Sequence, residues 1–258
     1  MPDESSSSGG AQAVLRAVKL LKLIASEGGD GLRLADIAER AVLERPTAHR
    51  LLKALISESM VAQDKDSKRY RLGPLVFELG LAAAHQFNLN ELARPALERL
   101  AQKTGDTSFL FVRSGNDAVC LLRIQGHFPI QTPAVPVGSR QPLGVNAGGL
   151  ALLSQLPDGE IDEILDKIAP RLPAFGGLDP QELKRLVQRA RGLGYALVGE
   201  YAVPGVTAMG LPVFSRTRTP VAALTVAALT SRMTPARQRE ILPLLKSEAQ
   251  RIAELLGQ

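Results

Sequence analysis

Apolar residues recur at helical spacing through most of this chain and alternate with a period of two in a few short stretches, and the switches between the two periods mark its elements. From Ala11 to Glu27, Val14, Val18, Leu21 and Ala25 fall three or four apart, with Leu15, Leu20 and Ile24 widening the stripe, so an amphipathic helix is predicted. After a Gly-Gly-Asp-Gly break, Leu34, Ile37 and Ala38 predict a short second helix that ends by about Arg40. Ala41-Val42-Leu43 then leads into a third, with Pro46 in the first turn, where its missing N–H is not needed. Ala48, Leu51, Leu52 and Leu55 form its apolar stripe, and Arg45, Thr47, His49, Arg50 and Lys53 occupy the opposite face. The alternating segments MVAQ and RYRLG, joined by DKDSK, predict a β-hairpin with a charged tip. Two short helices with a tight turn, then a hairpin, match a winged helix-turn-helix.

Gly73-Pro74 punctuates the chain, and LVFELGLAAAHQF predicts a helix with too few charges to stand alone in water, hence an interdomain or dimerising one. Beyond it the periods mix. Helices are predicted in ELARPALERLAQKT, NAGGLALLSQL, GEIDEILDKI, PQELKRLVQRARGL and from Pro235 to Leu256, and strands in TSFLFVR, AVCLLRI, YALVGE, VTAMGLPVF and VAALTVAAL. The strands at 107–113 and 117–125 are joined by a turn too short for a parallel crossover, which makes the sheet mainly antiparallel with helices flanking it. The fold class is α+β. The expected division is a disordered tail over 1–10, a DNA-binding domain over 11–73, a linker helix over 74–88 and a second domain over 89–258.

Composition agrees with two cores, since 258 residues at 45% hydrophobic exceed the usual single domain. Charge matters by position. Residues 45–71 hold seven basic side chains against three acidic ones, which supplies most of the chain's net +5. Cys120, the one cysteine, sits in an apolar AVCLL run and reads as a buried strand thiol in a reducing cytoplasm. The acidic, Ser/Gly-rich start lacks the features of a signal peptide, and no stretch reaches the length of a membrane span. His49, His85 and His127 are scattered, so no metal site is expected, and no nucleophile elbow, Walker loop or dinucleotide fingerprint appears. Neither a cofactor nor an enzyme is expected.

The basic segment carries the strongest chemistry, because a helix entering the major groove needs small or polar residues in its first turn and donors along its outer face. Arg45, Pro46, Thr47, His49 and Arg50 are assigned to base edges or nearby phosphates, Lys53 to phosphate, and Lys65, Lys68 and Arg69 to the backbone or minor groove. Tyr70 is read either as packing under the wing or as touching DNA. In the second domain, PVGSRQPLGVNAGGLALLS is the best ligand candidate: a Gly-rich turn opens a helix, although the glycines are explained equally well by close packing. Its candidate residues are Gly144, Val145, Asn146, Ala147, Gly148 and Leu150. GEYAVPGVTAMGLPVF is a second candidate, through Tyr201 and Met209.

On LADIAERAVLERPTAHRLLKAL, RYRLGPLVFELG, PVGSRQPLGVNAGGLALLSQLP and GYALVGEYAVPGVTAMGLPVF, the sequence resembles the IclR family of bacterial transcriptional regulators over nearly everything after residue 10. The resemblance implies a winged helix, a linker helix and a GAF-like effector domain, with dimers or tetramers acting on palindromic operators of double-stranded DNA under a small organic acid. It places the recognition-helix motif on Arg45–Arg50, with Pro46 where Ser is frequent. The effector-loop motif falls on 142–151, where the family's His and Lys are missing. The family's polar ligand-binding positions fall near Leu197 or Val198, Thr207, Thr225 and Ala227, which implies a more apolar pocket and a bulkier or more hydrophobic acid, such as an aromatic one. Two alternatives remain: an effector-independent DNA-binding protein whose large domain only oligomerises, and a small-molecule enzyme with a degenerate helix-turn-helix.

Overall fold

The computed structural model describes residues 5–26, 31–84, 89–130, 132, 135–199 and 203–256, and within these the side chains of 5–9, 81 and 83–84 are set aside. The chain divides into two compact units, Met1–Phe87 and Asn88–Gln258.

The first unit opens with α1 (Ser5–Ser26), followed by α2 (Leu34–Ala41), α3 (Arg45–Ser57), the strands β1 (Val61–Gln63) and β2 (Tyr70–Leu72), and α4 (Pro74–Ala84). Helix α1 begins six residues ahead of the expected Ala11 and takes in six of the ten residues of the expected tail, since extending a formed helix adds a hydrogen bond for each residue fixed. Its buried side is also narrower than the sequence suggested. Leu20 and Ile24 are fully buried, with Ala17, Leu21 and Leu23 packed around them, whereas Val14, Leu15 and Val18 are exposed, since among the described residues nothing covers that side of the helix. Between α2 and α3, Val42 takes a left-handed φ of 56°, and the N–H groups of Val42 and Leu43 donate to the Glu39 and Ala38 carbonyls at 3.0 and 2.9 Å. That reversal ends α2 and aims α3. Ile37, Ala41, Leu52, Leu55, Val61 and Tyr70 close the core beneath them. Helix α4 belongs to this unit, its start held by Leu75 N–H donating to the Ser59 carbonyl at 3.1 Å.

The second unit is one six-stranded antiparallel sheet between two helical layers. Its elements are α5 (Leu89–Thr104), β3 (Thr107–Ser114), β4 (Asp117–Ile124), β5 (Arg140–Pro142), α6 (Ala147–Leu153), α7 (Asp158–Ile168), a 3-10 turn over Ala169–Ala174, α8 (Pro180–Leu193), β6 (Ala196–Gly199), β7 (Val206–Phe214), β8 (Pro220–Leu229) and α9 (Pro235–Leu255). The strand order is β5-β4-β3-β8-β7-β6. Successive side chains leave a strand on opposite faces. Thus Leu110, Met209, Leu211, Leu224 and Val226 pack under α5 and α9, while Phe109, Phe111, Ala223 and Ala227 face α6, α7 and α8. The strand β5 and the 3-10 turn were not expected, being too short to show a period.

Candidate functional site

The first unit presents its basic surface on α3 and the hairpin. Arg45, Pro46, His49, Arg50 and Lys53 are exposed along α3 and Thr47 is half-buried, opposite buried Ala48, Leu52 and Leu55. Lys65 and Lys68 are exposed on the hairpin loop. A cleft between the start of α2, the start of α3 and the hairpin brings Arg45, His49 and Lys68 together with Arg33. Arg33 escaped sequence reasoning because it caps α2 rather than lying on the basic stretch; its N–H donates to Asp36 Oδ2 at 3.3 Å.

The hairpin is built from within. Asp64 Oδ1 accepts the Ser67 N–H and hydroxyl, each at 2.7 Å, and the Asp66 N–H at 3.2 Å, which closes the loop around one carboxylate. Hydrogen bonds from the Ser67 N–H and then its hydroxyl hold the Asp64 carboxyl below its ordinary pKa. Lys68 adopts a left-handed φ of 55° at the return. Tyr70 is buried at 3% exposure and exchanges backbone hydrogen bonds with Leu32, so it packs under the wing. Arg69 differs from the other cations: its Nη1 donates to the Gly31 carbonyl at 2.8 Å, tying the wing to the segment before α2.

In the second unit, α6 lies directly on the sheet, and a narrow cavity of about 60 Å³ opens beside its start. Phe109 and Phe111, with ring centroids 5.9 Å apart, form one wall, and Val135, Val198, Val203, Val206, Ala208 and Ala227 supply most of the rest. The polar lining is Thr132, Gln141, Asn146 and Thr225. Asn146 is already committed, since it accepts the Gly149 N–H and donates to Gln141 Oε1, both at 2.7 Å, and so caps α6. Thr132 Oγ1 and Thr225 Oγ1 are buried and have no partner among the described residues.

Among the residues expected at an effector site, Asn146, Ala147 and Thr225 line this cavity. Thr207 and Met209 do not, because the period of a strand turns them to the opposite face: Thr207 Oγ1 lies 3.0 Å from Thr230 Oγ1 and Met209 sits in the core under α5 and α9. Their neighbours Val206 and Ala208 take the cavity positions. Gly144, Val145, Gly148 and Leu150 lie behind it in the packing of α6, and Tyr201 falls outside the described residues. The cavity is mostly apolar and, at about 60 Å³, tighter than a bulky acid requires. Cys120 is buried, and burial pushes its thiol up to about 12, which keeps it un-ionised and unreactive. Among the described residues no group of His, Cys, Asp and Glu is placed to hold a metal, and no helix is long and apolar enough to cross a membrane.

Two family models match, the IclR helix-turn-helix domain over residues 13–65 and the bacterial transcriptional regulator IclR C-terminal domain over residues 81–254. The chain is 32% identical to the HTH-type transcriptional regulator BhcR of Paracoccus denitrificans, over 89% of this chain and 82% of that one. It is 30% identical to the HTH-type transcriptional repressor AllR of Escherichia coli K12, over 96% and 91%. Among solved structures, an IclR regulator from Silicibacter superposes with a TM-score of 0.82 at 26% identity, covering 95% of this chain and 96% of that one. An IclR homologue from Microbacterium hydrocarbonoxydans, in complex with 4-hydroxybenzoate, superposes with a TM-score of 0.73 at 26% identity, over 95% and 98%. These relatives are named as regulators and repressors of transcription, not as enzymes. With both units matched in order, the chain belongs to the IclR family of bacterial transcriptional regulators.

Proposed function

We propose that this regulator binds a palindromic operator through α3 and the wing of two or more copies, and that a compact organic acid held in the cavity beside α6 controls that binding. The observation that carries the effector half is a narrow apolar space whose wall holds the Thr132 and Thr225 hydroxyls, neither with a partner among the described residues. A buried hydroxyl without a partner is costly, and a ligand oxygen or N–H offsets the cost. The two phenyl rings favour a single-ring or short-chain acid over a long-chain acid or a polyol. The complex of a relative with 4-hydroxybenzoate supports this class. Self-association is supported by apolar side chains left in solvent on two helices: Leu15 and Val14 on α1, at 71% and 63% exposure, and Phe77 on α4, at 69%.

On DNA, Arg45, Pro46, Thr47, His49 and Arg50 meet base edges and neighbouring phosphates, and Lys53, Lys65 and Lys68 meet phosphate. Arg69 shares that role with its hold on Gly31. The acid acts only through differential affinity: it shifts the population towards whichever form of the molecule it binds better. Duplexes selected by the wild-type protein from a random pool provide the assay. Arg50→Ala should weaken binding to the selected duplex by roughly ten- to a hundredfold and leave an unselected duplex less affected. Lys65→Ala should weaken both alike and lower the salt dependence by about one phosphate contact. Fluorescence anisotropy measures these. An Arg50→Ala protein with wild-type affinity and preference defeats the assignment of α3.

A further inference from the structure

Arg123 stands near the end of β4, directly opposite Phe109, and Phe109 stands directly opposite Thr225 of β8. Opposed residues of antiparallel strands share a face, so Arg123, Phe109 and Thr225 make one row across the sheet on the side of α6. Their neighbours confirm the parity, because Leu110, Leu122 and Leu224 all lie in the core beneath the other face. Phe109 and Thr225 line the cavity, and Arg123 stands one strand outside its wall.

Among the described residues, four buried side-chain polar atoms lack a hydrogen-bond partner: Thr132 Oγ1 and Thr225 Oγ1 belong to the cavity lining, and Arg123 Nε belongs to the row beside it. The fourth, Asp106 Oδ2, has Arg237 at 3.6 Å. Arg123 forms no ion pair among the described residues, in contrast to Arg140 and Arg171, which share Asp117 at 3.2 and 2.7 Å. Cys120, which feels the Arg123 charge, offers no counter-charge, since burial pushes its thiol up to about 12 and keeps it un-ionised. A half-buried guanidinium with a desolvated Nε and no anion is an uncommon expense in a native fold. The arginine stem reaches several ångströms from its Cα, and the fork of N–H groups at its end matches a carboxylate.

We infer that Arg123 reads the acidic group of the effector: its guanidinium takes the carboxylate at the cavity rim, Thr132 and Thr225 hydrogen-bond the same ligand, and Phe109 and Phe111 carry the apolar body. This rests on the cavity being the effector site. It narrows the ligand class to monocarboxylates with an apolar remainder, because the described lining residues carry no charge to pair with a second one. Neutral amides of the same shape lose the charge-assisted pair and bind less tightly.

Titration calorimetry on the full chain tests this with benzoate and pyruvate, each against its own amide. Wild type should bind one of the acids at least tenfold more tightly than its amide. Arg123→Gln should lose roughly ten- to a hundredfold on the acid, with amide binding unchanged, and Arg123→Lys should recover part of the loss. Arg123→Gln with the wild-type preference for the acid overturns the inference and leaves the cavity as the effector site. If Arg123→Gln fails to fold, the wild-type ratio decides, and an amide that binds as tightly as its acid overturns the inference. If wild type binds neither acid, the effector reading and the inference fall together.

Discussion

At Gly148 and Gly210 a neighbour comes so close that a single hydrogen is all the space allows, the Phe111 ring at Gly148 and the Ala147 backbone at Gly210. A Cβ on Gly148 would lie 2.8 Å from Phe111 Cγ, and one on Gly210 would lie 2.6 Å from the Ala147 carbonyl carbon. A Cβ on Gly149 would meet Ala118 at 3.1 Å. The glycines of Asn-Ala-Gly-Gly therefore serve the packing of α6 against the sheet, and they bound the cavity by bringing that helix down onto it. Both a ligand turn and close packing fit the sequence there, and only the distance between Ala147 and Gly210, some sixty residues apart, separates them. Gly210→Ala should cost about 1–3 kcal/mol, because the obstacle is backbone and cannot rotate away. Gly192→Ala, in α8 with nothing within 4 Å, should instead stabilise by about 0.5–1 kcal/mol through reduced chain entropy. Urea unfolding followed by circular dichroism compares them, and a neutral Gly210→Ala refutes the packing argument.

At the scale of elements, what could be read from the chain was what repeats. The 3.6-residue period of α5, α8 and α9, the alternation in β4 and the continuous apolar runs of β3 and β8 are local features of the sequence, so their extents follow from local order. Strand β5 has three residues and no period; it exists because Arg140 reaches back to Asp117 and to the Ser114 carbonyl, at 3.2 and 3.0 Å. Thr207 and Met209 were misplaced because a strand's sequence says that its sides differ without saying which side meets α6. Glu248 was invisible for the same reason. It sits on α9 with its side chain 4% exposed and receives Nε and Nη2 of Arg99 at 3.0 and 2.7 Å, a clamp from α5 spanning 149 positions. That pairing also raises the Arg99 pKa, chiefly through the hydrogen bond. Glu248→Ala should destabilise the second unit by about 2 kcal/mol, below the usual cost of breaking a buried pair because Arg99 is 37% exposed and partly screened. Denaturant melts of Glu248→Ala, Arg99→Ala and the double variant check it: a double variant no worse than the worse single one is expected, and fully additive losses refute the clamp.

For the whole molecule, the separation into two units with their own cores means that, under the proposed function, the acid and the DNA would be bound by different bodies. The basic excess belongs to the first unit and the apolar cavity to the second, so nothing in either site alone links one ligand to the other. Regulation therefore requires a coupling free energy, commonly about 1–3 kcal/mol, and such coupling is reciprocal. If benzoate or pyruvate changes the affinity for the selected duplex by some factor, that duplex must change the affinity for the acid by the same factor, in the roughly fivefold to 150-fold range that this energy implies. Anisotropy titrations with and without saturating acid, set against calorimetry with and without duplex, measure the two factors independently. Arg123→Gln should bring both towards one while leaving acid-free DNA affinity as it was, since it lies on the sheet of the second unit and is not one of the DNA-facing residues proposed on α3 and the wing. An acid that binds the cavity and leaves both factors at one would make the second unit a ligand-binding body with no hold on the operator, and the regulatory reading would have to be given up even though each site was correctly found.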